Sequence, residues 1–179
     1  MRTDIRLAGF GGQGIALAGY ILGKAFSLYS GLEAVMTQAY GPEARGGASS
    51  TNIVVADRPI DYPFVQHLDI LVTLSQEAYT RFRPEAKSDA VIIIDEDLVE
   101  PDPGDKHYAI PATKLAEDLG QRIVANVIML GFFTAVTGLV KVEAMEKAIE
   151  TSVQPKFVAL NQKAFVTGLE YASKKEQAQ

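Results

Sequence analysis

The sequence contains no cysteine. This excludes disulfides, the usual thiolate ligands of iron–sulfur clusters and a thiol nucleophile within the chain. Histidine is scarce: His67 and His107 are the only two, and neither lies in a nucleophile motif. No Gly-x-Ser-x-Gly elbow is present, so the sequence offers little for hydrolytic catalysis. Positive charge is in deficit. A net charge of −5 and a pI near 5.1 leave no electrostatic footprint for nucleic acid. The first four residues run straight into a strand-like segment, so no signal peptide is expected. A cytoplasmic location fits the cysteine-free composition. The chain also lacks internal repeats and low-complexity linkers. Residues 123–140 carry no charge and approach the roughly 18-residue minimum of a membrane helix. Asn126, Gly131, Thr134, Thr137 and Gly138 interrupt that run, and no aromatic belt flanks it. No membrane span is expected. A helix apolar all round is buried in a core or a subunit interface. A chain of 179 residues seldom covers such a helix alone, which points to a larger assembly.

The composition, 47% hydrophobic and 22% charged, is that of an ordinary globular protein long enough for one sizeable core. Its organising stretch is Gly9-Phe10-Gly11-Gly12-Gln13-Gly14, between a strand-like run over 4–8 and a helical run over 13–30. A G-x-G-x-x-G spacing gains physical meaning in that strand–turn–helix context. Gly19 and Gly23, four apart in the helix, allow close approach to a sheet or helix, and Gly31 stops it. Further strands are expected over 33–39, 50–56, 70–74, 90–94 and 107–110. Helices are expected over 76–82, with Ser75 as N-cap, then 112–119, 123–137, 142–151 and 155–172, and a short helical turn over 64–67. Alternating strands and helices predict a single α/β domain over 1–179. It has three layers: a mostly parallel sheet, helices on both faces and glycine-rich loops at the carboxyl edge. Residues 172–179 are expected to form a flexible tail.

The first glycine loop suggests a dinucleotide site, but that use needs an acid at the end of the second strand to hold the ribose. Thr37, Gln38, Ala39 and Tyr40 stand there instead. A structural turn, or a site for another anion at the helix start, remains open. No lysine follows the glycines, so this is no P-loop. A second glycine loop, around Arg45-Gly46-Gly47, emerges at the same edge if the first two strands are parallel neighbours. Arg45 then either offers a planar donor fork to a phosphate or carboxylate or pairs with Glu43 or a partner's acid. Asp95, Glu96, Asp97, Asp102 and Asp105 match no calcium loop and read as a solvated segment. Asn126 needs a hydrogen-bond partner if buried and reads as a packing residue.

These motifs carry a resemblance. The first loop, Leu17-Ala18-Gly19, the segment from Thr37 to Gly47, Asp61-Tyr62-Pro63, Leu74 to Tyr79, and Asn126 to Gly131 resemble, in order, the gamma subunit of the 2-oxoacid:ferredoxin oxidoreductases. Pro42-Glu43-Ala44-Arg45 looks most like the 2-oxoglutarate form, whereas pyruvate, branched-chain 2-oxoacid and indolepyruvate enzymes have related subunits. The resemblance implies a complex that decarboxylates a 2-oxoacid on thiamine diphosphate with magnesium. Its electrons pass through iron–sulfur clusters to ferredoxin, and the acyl group passes to coenzyme A. It implies alpha and beta thiamine-binding partners and a cluster-bearing delta partner. The chain has neither cysteine nor the Gly-Asp-Gly thiamine signature, so it is expected to hold neither group and to have little or no activity alone. Gly11, Gly12, Gln13, Gly14, Arg45, Gly46 and Gly47 are the implied contacts to coenzyme A or a partner subunit; no catalytic or metal-binding residue is expected. The rival from another class is a free-standing Rossmann-like nucleotide-binding oxidoreductase.

Overall fold

The structure, a computed structural model, describes residues 1–38 and 48–176. The described elements are β1 (Arg2–Phe10), α1 (Ile15–Tyr29), β2 (Glu33–Gln38), β3 (Ala48–Ala56), β4 (Leu68–Thr73), α2 (Gln76–Phe82), β5 (Ala86–Asp95), β6 (His107–Ile110), α3 (Ala112–Asp118), α4 (Ala125–Thr137), α5 (Val142–Glu150) and α6 (Val158–Glu176). The strands form one sheet in the order β2-β3-β1-β4-β5-β6. β3 runs antiparallel to both β2 and β1, and the other pairings are parallel. All strands but β3 therefore point the same way, and the α/β class is as the alternation of elements predicts.

The strand order corrects one premise. β1 and β2 are not neighbours, because β3 returns between them. The 39–47 connection is shorter than the dozen or so residues that a parallel crossover needs, so β2 and β3 pair antiparallel. Two antiparallel steps restore the direction, and the geometric consequence survives. Gln38 pairs with Thr51, and Ala48 pairs with Phe10. Both anchors of 39–47 thus stand at the edge where the first glycine loop leaves the sheet.

Side chains alternate across the sheet as strand pleating requires. Ile5, Leu7, Ile53, Val55, Ile70 and Val72 face the main core with α1, α3, α4 and α5. The opposite face is smaller. There Ala8 and Leu71 meet Ala78 and Phe82 of α2, and Ile92 and Ile94 meet Tyr79 and Val99. Ser75 caps α2 as expected, its Oγ accepting from the Ala78 N–H at 3.2 Å. Gly31, at φ +67°, ends α1. Gly19 seats α1 against Thr51, whereas Gly23 has no described atom within 4 Å of its missing Cβ.

Three local expectations change. Residues 64–67 form bends and no helical turn. The Arg2 guanidinium holds the carbonyls of Tyr62 and Phe64 at 2.8 and 2.9 Å, and Asp4 accepts from the Gln66 N–H at 2.9 Å. These bonds take the segment's polar groups away from any helix. The charge-free helix needs no partner chain to cover it: Ala125–Thr134 are all buried within this fold. α6 closes its outer side, where Gly131 and Gly168 let the two backbones nearly touch. The case for a larger assembly therefore does not rest on α4. Finally, α6 runs to Glu176, past the expected end at 172, because Ala172 packs into the core and strong helix formers follow.

Candidate functional site

β1 brings the chain to the carboxyl edge at Phe10, and α1 leaves it at Ile15. Gly12 (φ +93°) and Gly14 (φ +71°) turn the chain between them, in backbone conformations that glycine adopts without strain. Two amide side chains hold the turn. Gln13 Oε1 accepts from the Phe10 N–H at 2.6 Å, and its Nε2 donates to the Leu74 carbonyl at 2.9 Å. From the other side, Asn126 Nδ2 donates to the Gly14 carbonyl at 3.0 Å. The same carbonyl accepts the Ala18 N–H at 3.0 Å, the first bond of α1. A Cβ on Gly9 would collide with the Gln13 amide, and one on Gly14 with the Asn126 amide.

The sequence-predicted residues therefore divide. Gly11 and Gly12 are exposed, and Gln13 and Gly14 are half-buried. Gly11 has no described atom within 4 Å of its missing Cβ. Gln13 is turned inward: its amide braces the loop, and its N–H donates to the Phe10 carbonyl at 3.2 Å. Arg45, Gly46 and Gly47 lie outside the described residues. Among the described residues, no side chain caps the start of α1, and its first turn carries no acid. Free N–H groups there, with the positive end of the helix dipole, suit an anion.

A cleft of about 440 Å³ opens beside Gly14. Leu17, Ile123, Val124, Asn126, Phe157 and Leu160 form much of its wall. Its apolar rim is accessible, with Ile123 56% and Phe157 44% exposed. The Ser152 Oγ on the same wall is buried without a hydrogen-bond partner among the described residues. Loop and cleft together place backbone donors next to apolar surface, which suits a ligand or partner with an anionic group and a greasy arm.

Two of the acids singled out in the sequence, Asp95 and Asp105, hold the fold together. Asp95, wholly buried, accepts the Thr113 N–H at 2.9 Å and Oγ–H at 2.7 Å, fixing the start of α3. Burial pushes its carboxyl above the usual carboxylate range, although its donors pull the other way. Asp105 accepts from Arg83 Nε at 2.5 Å and Nη2 at 2.6 Å, and from the Tyr79 hydroxyl. The Arg83 bonds hold its carboxyl below the usual range. No group of acids or histidines among the described residues is arranged to hold a metal ion. His67 and His107 are exposed. No described helix is long and apolar enough to cross a membrane.

A dinucleotide fold would set the acid-bearing strand next to β1. Here β3 takes that position, which argues against the Rossmann-like rival independently of the missing acid. Sequence reasoning missed the bond from Asn126 to Gly14 and the cleft beside it. The available signal was a lone amide in a charge-free run, which requires a partner without naming one.

Comparison with known proteins agrees with this picture. The family described as pyruvate ferredoxin/flavodoxin oxidoreductase matches residues 4–171. The 2-oxoglutarate synthase subunit KorC of Methanocaldococcus jannaschii is 51% identical over 177 residues, 96% of this chain and 95% of that protein. The pyruvate synthase subunit PorC of the same organism is 31% identical over 170 residues, 90% of this chain and 92% of that one. Among solved structures, the keto/oxoacid ferredoxin oxidoreductase gamma subunit of Geobacter sulfurreducens superposes with a TM-score of 0.86 at 42% identity, covering 96% of this chain and 99% of that chain. Fold, glycine loop and nearly full-length likeness agree: the chain belongs to the pyruvate ferredoxin/flavodoxin oxidoreductase family.

Proposed function

We propose that the chain is the gamma subunit of a 2-oxoglutarate:ferredoxin oxidoreductase. One observation carries the substrate: 51% identity to a 2-oxoglutarate synthase subunit, against 31% to the pyruvate synthase subunit of the same organism. The absence of cysteine and of a thiamine signature supports a division of labour, with alpha and beta subunits holding thiamine diphosphate and magnesium and a delta subunit holding the clusters. Ferredoxin is then reached through the complex, and the complex works in the cytoplasm.

Within the assembly, this chain acts by binding and positioning. Coenzyme A supplies the thiol that accepts the acyl group. The loop Gly11, Gly12, Gln13 and Gly14 meets an anionic part of coenzyme A with the backbone N–H groups of its glycines, while Gln13 braces it from within. The cleft bounded by Leu17, Ile123 and Phe157 takes apolar surface next to it. Arg45, Gly46 and Gly47, whose segment is anchored at Gln38 and Ala48 on the same edge, complete the site with the guanidinium as an anion clamp.

The test is co-expression of the partner subunits with and without this chain. Ferredoxin reduction that depends on 2-oxoglutarate and coenzyme A is expected only with it. Full activity without the chain overturns the proposal. Faster turnover of pyruvate or a branched-chain 2-oxoacid reassigns the substrate.

A further inference from the structure

We propose that Asn126 is the positioning residue of the first glycine loop, holding Gly11 and Gly12 in the shape in which they receive their ligand. This rests on the reading that the loop meets coenzyme A. Asn126 is 3% exposed, in a stretch of α4 whose other members, Ala125 and Val127–Thr134, are also buried. A buried amide is disfavoured unless its groups are bonded. Its Oδ1 accepts the Val127 N–H at 2.8 Å, which fixes the direction of the amide. Nδ2 is thereby aimed at the Gly14 carbonyl, 3.0 Å away.

That carbonyl is already satisfied by the Ala18 N–H. The Gly14 carbonyl therefore does not need the Asn126 bond, although that bond satisfies the buried Nδ2. Its effect is to hold the Gly14 peptide from a second direction, at the residue whose left-handed backbone turns the loop into α1. Asn126 also separates two spaces. It lines the open cleft beside Gly14, and it lines a void of about 10 Å³ in the core beside the start of α1, bounded by Leu7, Ile15 and Met129. A smaller side chain would join them and let water in beside the start of α1.

The experiment uses the assembled oxidoreductase with all its subunits. Asn126→Asp is nearly isosteric but sets an acceptor against the Gly14 carbonyl; Asn126→Ala removes the bond outright. Each is expected to raise the KM for coenzyme A about tenfold, with kcat and the KM for 2-oxoglutarate within about twofold of wild type. Thr134→Val is the control. It removes the buried hydroxyl that donates to the Leu130 carbonyl at 2.8 Å in the same helix, and is expected to leave the coenzyme A KM unchanged. An assembled Asn126 variant with a wild-type coenzyme A KM overturns the proposal, as does a fall in kcat with KM unmoved. If neither Asn126 variant assembles, Gly14→Ala, which pushes the amide away from the loop side, carries the same readout. Gly11→Asp separates the two levels, because it adds an anion at the open mouth without a steric conflict among described atoms. If it too leaves the KM unmoved, the coenzyme A reading itself falls. If it raises the KM while the Asn126 variants do not, only the positioning role is lost.

Discussion

The glycines where α4 meets α6 and those of the first loop differ in what surrounds them. A Cβ on Gly131 would overlap the Phe165 carbonyl, and one on Gly168 the Ile128 carbonyl. These residues are small so that two helices can close on each other, and that closure buries α4 inside a single chain. At Gly11 and Gly12 the missing Cβ faces no described atom within 4 Å. Backbone geometry accounts for Gly12, at φ +93°, but Gly11 has no positive φ. The described chain needs no glycine at position 11. A glycine explained by its own fold is a packing or turn residue; an unexplained one leaves room for close approach without demanding it.

The largest expected effect tests the closed side of that contrast. Gly131→Val drives a branched side chain into the α6 backbone and is expected to cost about 3 kcal/mol or more, the upper range of overpacking. Thermal unfolding of the purified chain measures it. Gly11→Ala is expected to stay within about 0.5 kcal/mol on the same assay. Similar losses for the two would erase the distinction. Gly14→Ala falls between them, at about 2 kcal/mol. A left-handed backbone costs a non-glycine residue about 1–2 kcal/mol, and the new Cβ displaces the Asn126 amide.

Several of these features were legible in the sequence, and local physics explains which. The extent of α2 and its Ser75 cap follow from a hydroxyl before an apolar-periodic run, and β6 matches its expected range. The burial of α4 follows from its lack of charge. What covers it does not, because Gly131 and Gly168 lie on different helices and nothing local pairs them. Strand order was not legible for a related reason: only the antiparallel return of β3 decides whether β1 and β2 touch. At the site, the glycine spacing located the loop correctly. It could not tell that Gln13 points inward to Leu74, since the motif fixes the backbone path and leaves χ angles free. The cleft was illegible because Leu17, Ile123 and Phe157 meet only in the folded chain.

The acidic segment extends the contrast to charge. The five acids read as a solvated segment, yet Asp95 is wholly buried against Thr113 and Asp105 is bonded to Arg83. Asp105→Asn is expected to cost about 1–2 kcal/mol at pH 7, since it leaves a largely buried Arg83 without its charge partner. The pH dependence has a definite sign. Arg83 lowers the Asp105 carboxyl pKa in the folded state, so its contribution is fully present above the unfolded pKa of about 3.9. It is lost as pH falls through the folded value. Asp95, raised by burial, titrates in the opposite sense. The informative quantity is therefore the gap between wild type and Asp105→Asn in denaturant midpoint, which should narrow on going from pH 7 to pH 3. A constant gap would mean that Asp105 contributes by shape rather than by charge.

A small gain in stability is the sharpest test of the rule applied to Gly11. Gly23 lies in the middle of α1, has no positive φ, and faces no described atom within 4 Å of its missing Cβ. By the same reasoning, the described fold does not need it. A glycine inside a helix costs up to about 1 kcal/mol relative to alanine, mostly through the freedom it gives the unfolded chain. Gly23→Ala should therefore stabilise the isolated chain by about 0.5–1 kcal/mol and raise its Tm by a few degrees. A gain of that size means that an empty Cβ position without a positive φ identifies a glycine free of folding duty, which is the status assigned to Gly11. No gain, or a loss, means that the chain constrains such a position in a way its static neighbours do not reveal. Gly11 would then revert to an ordinary loop residue, and the case for a ligand at the first loop would rest on its backbone donors and the adjoining cleft alone.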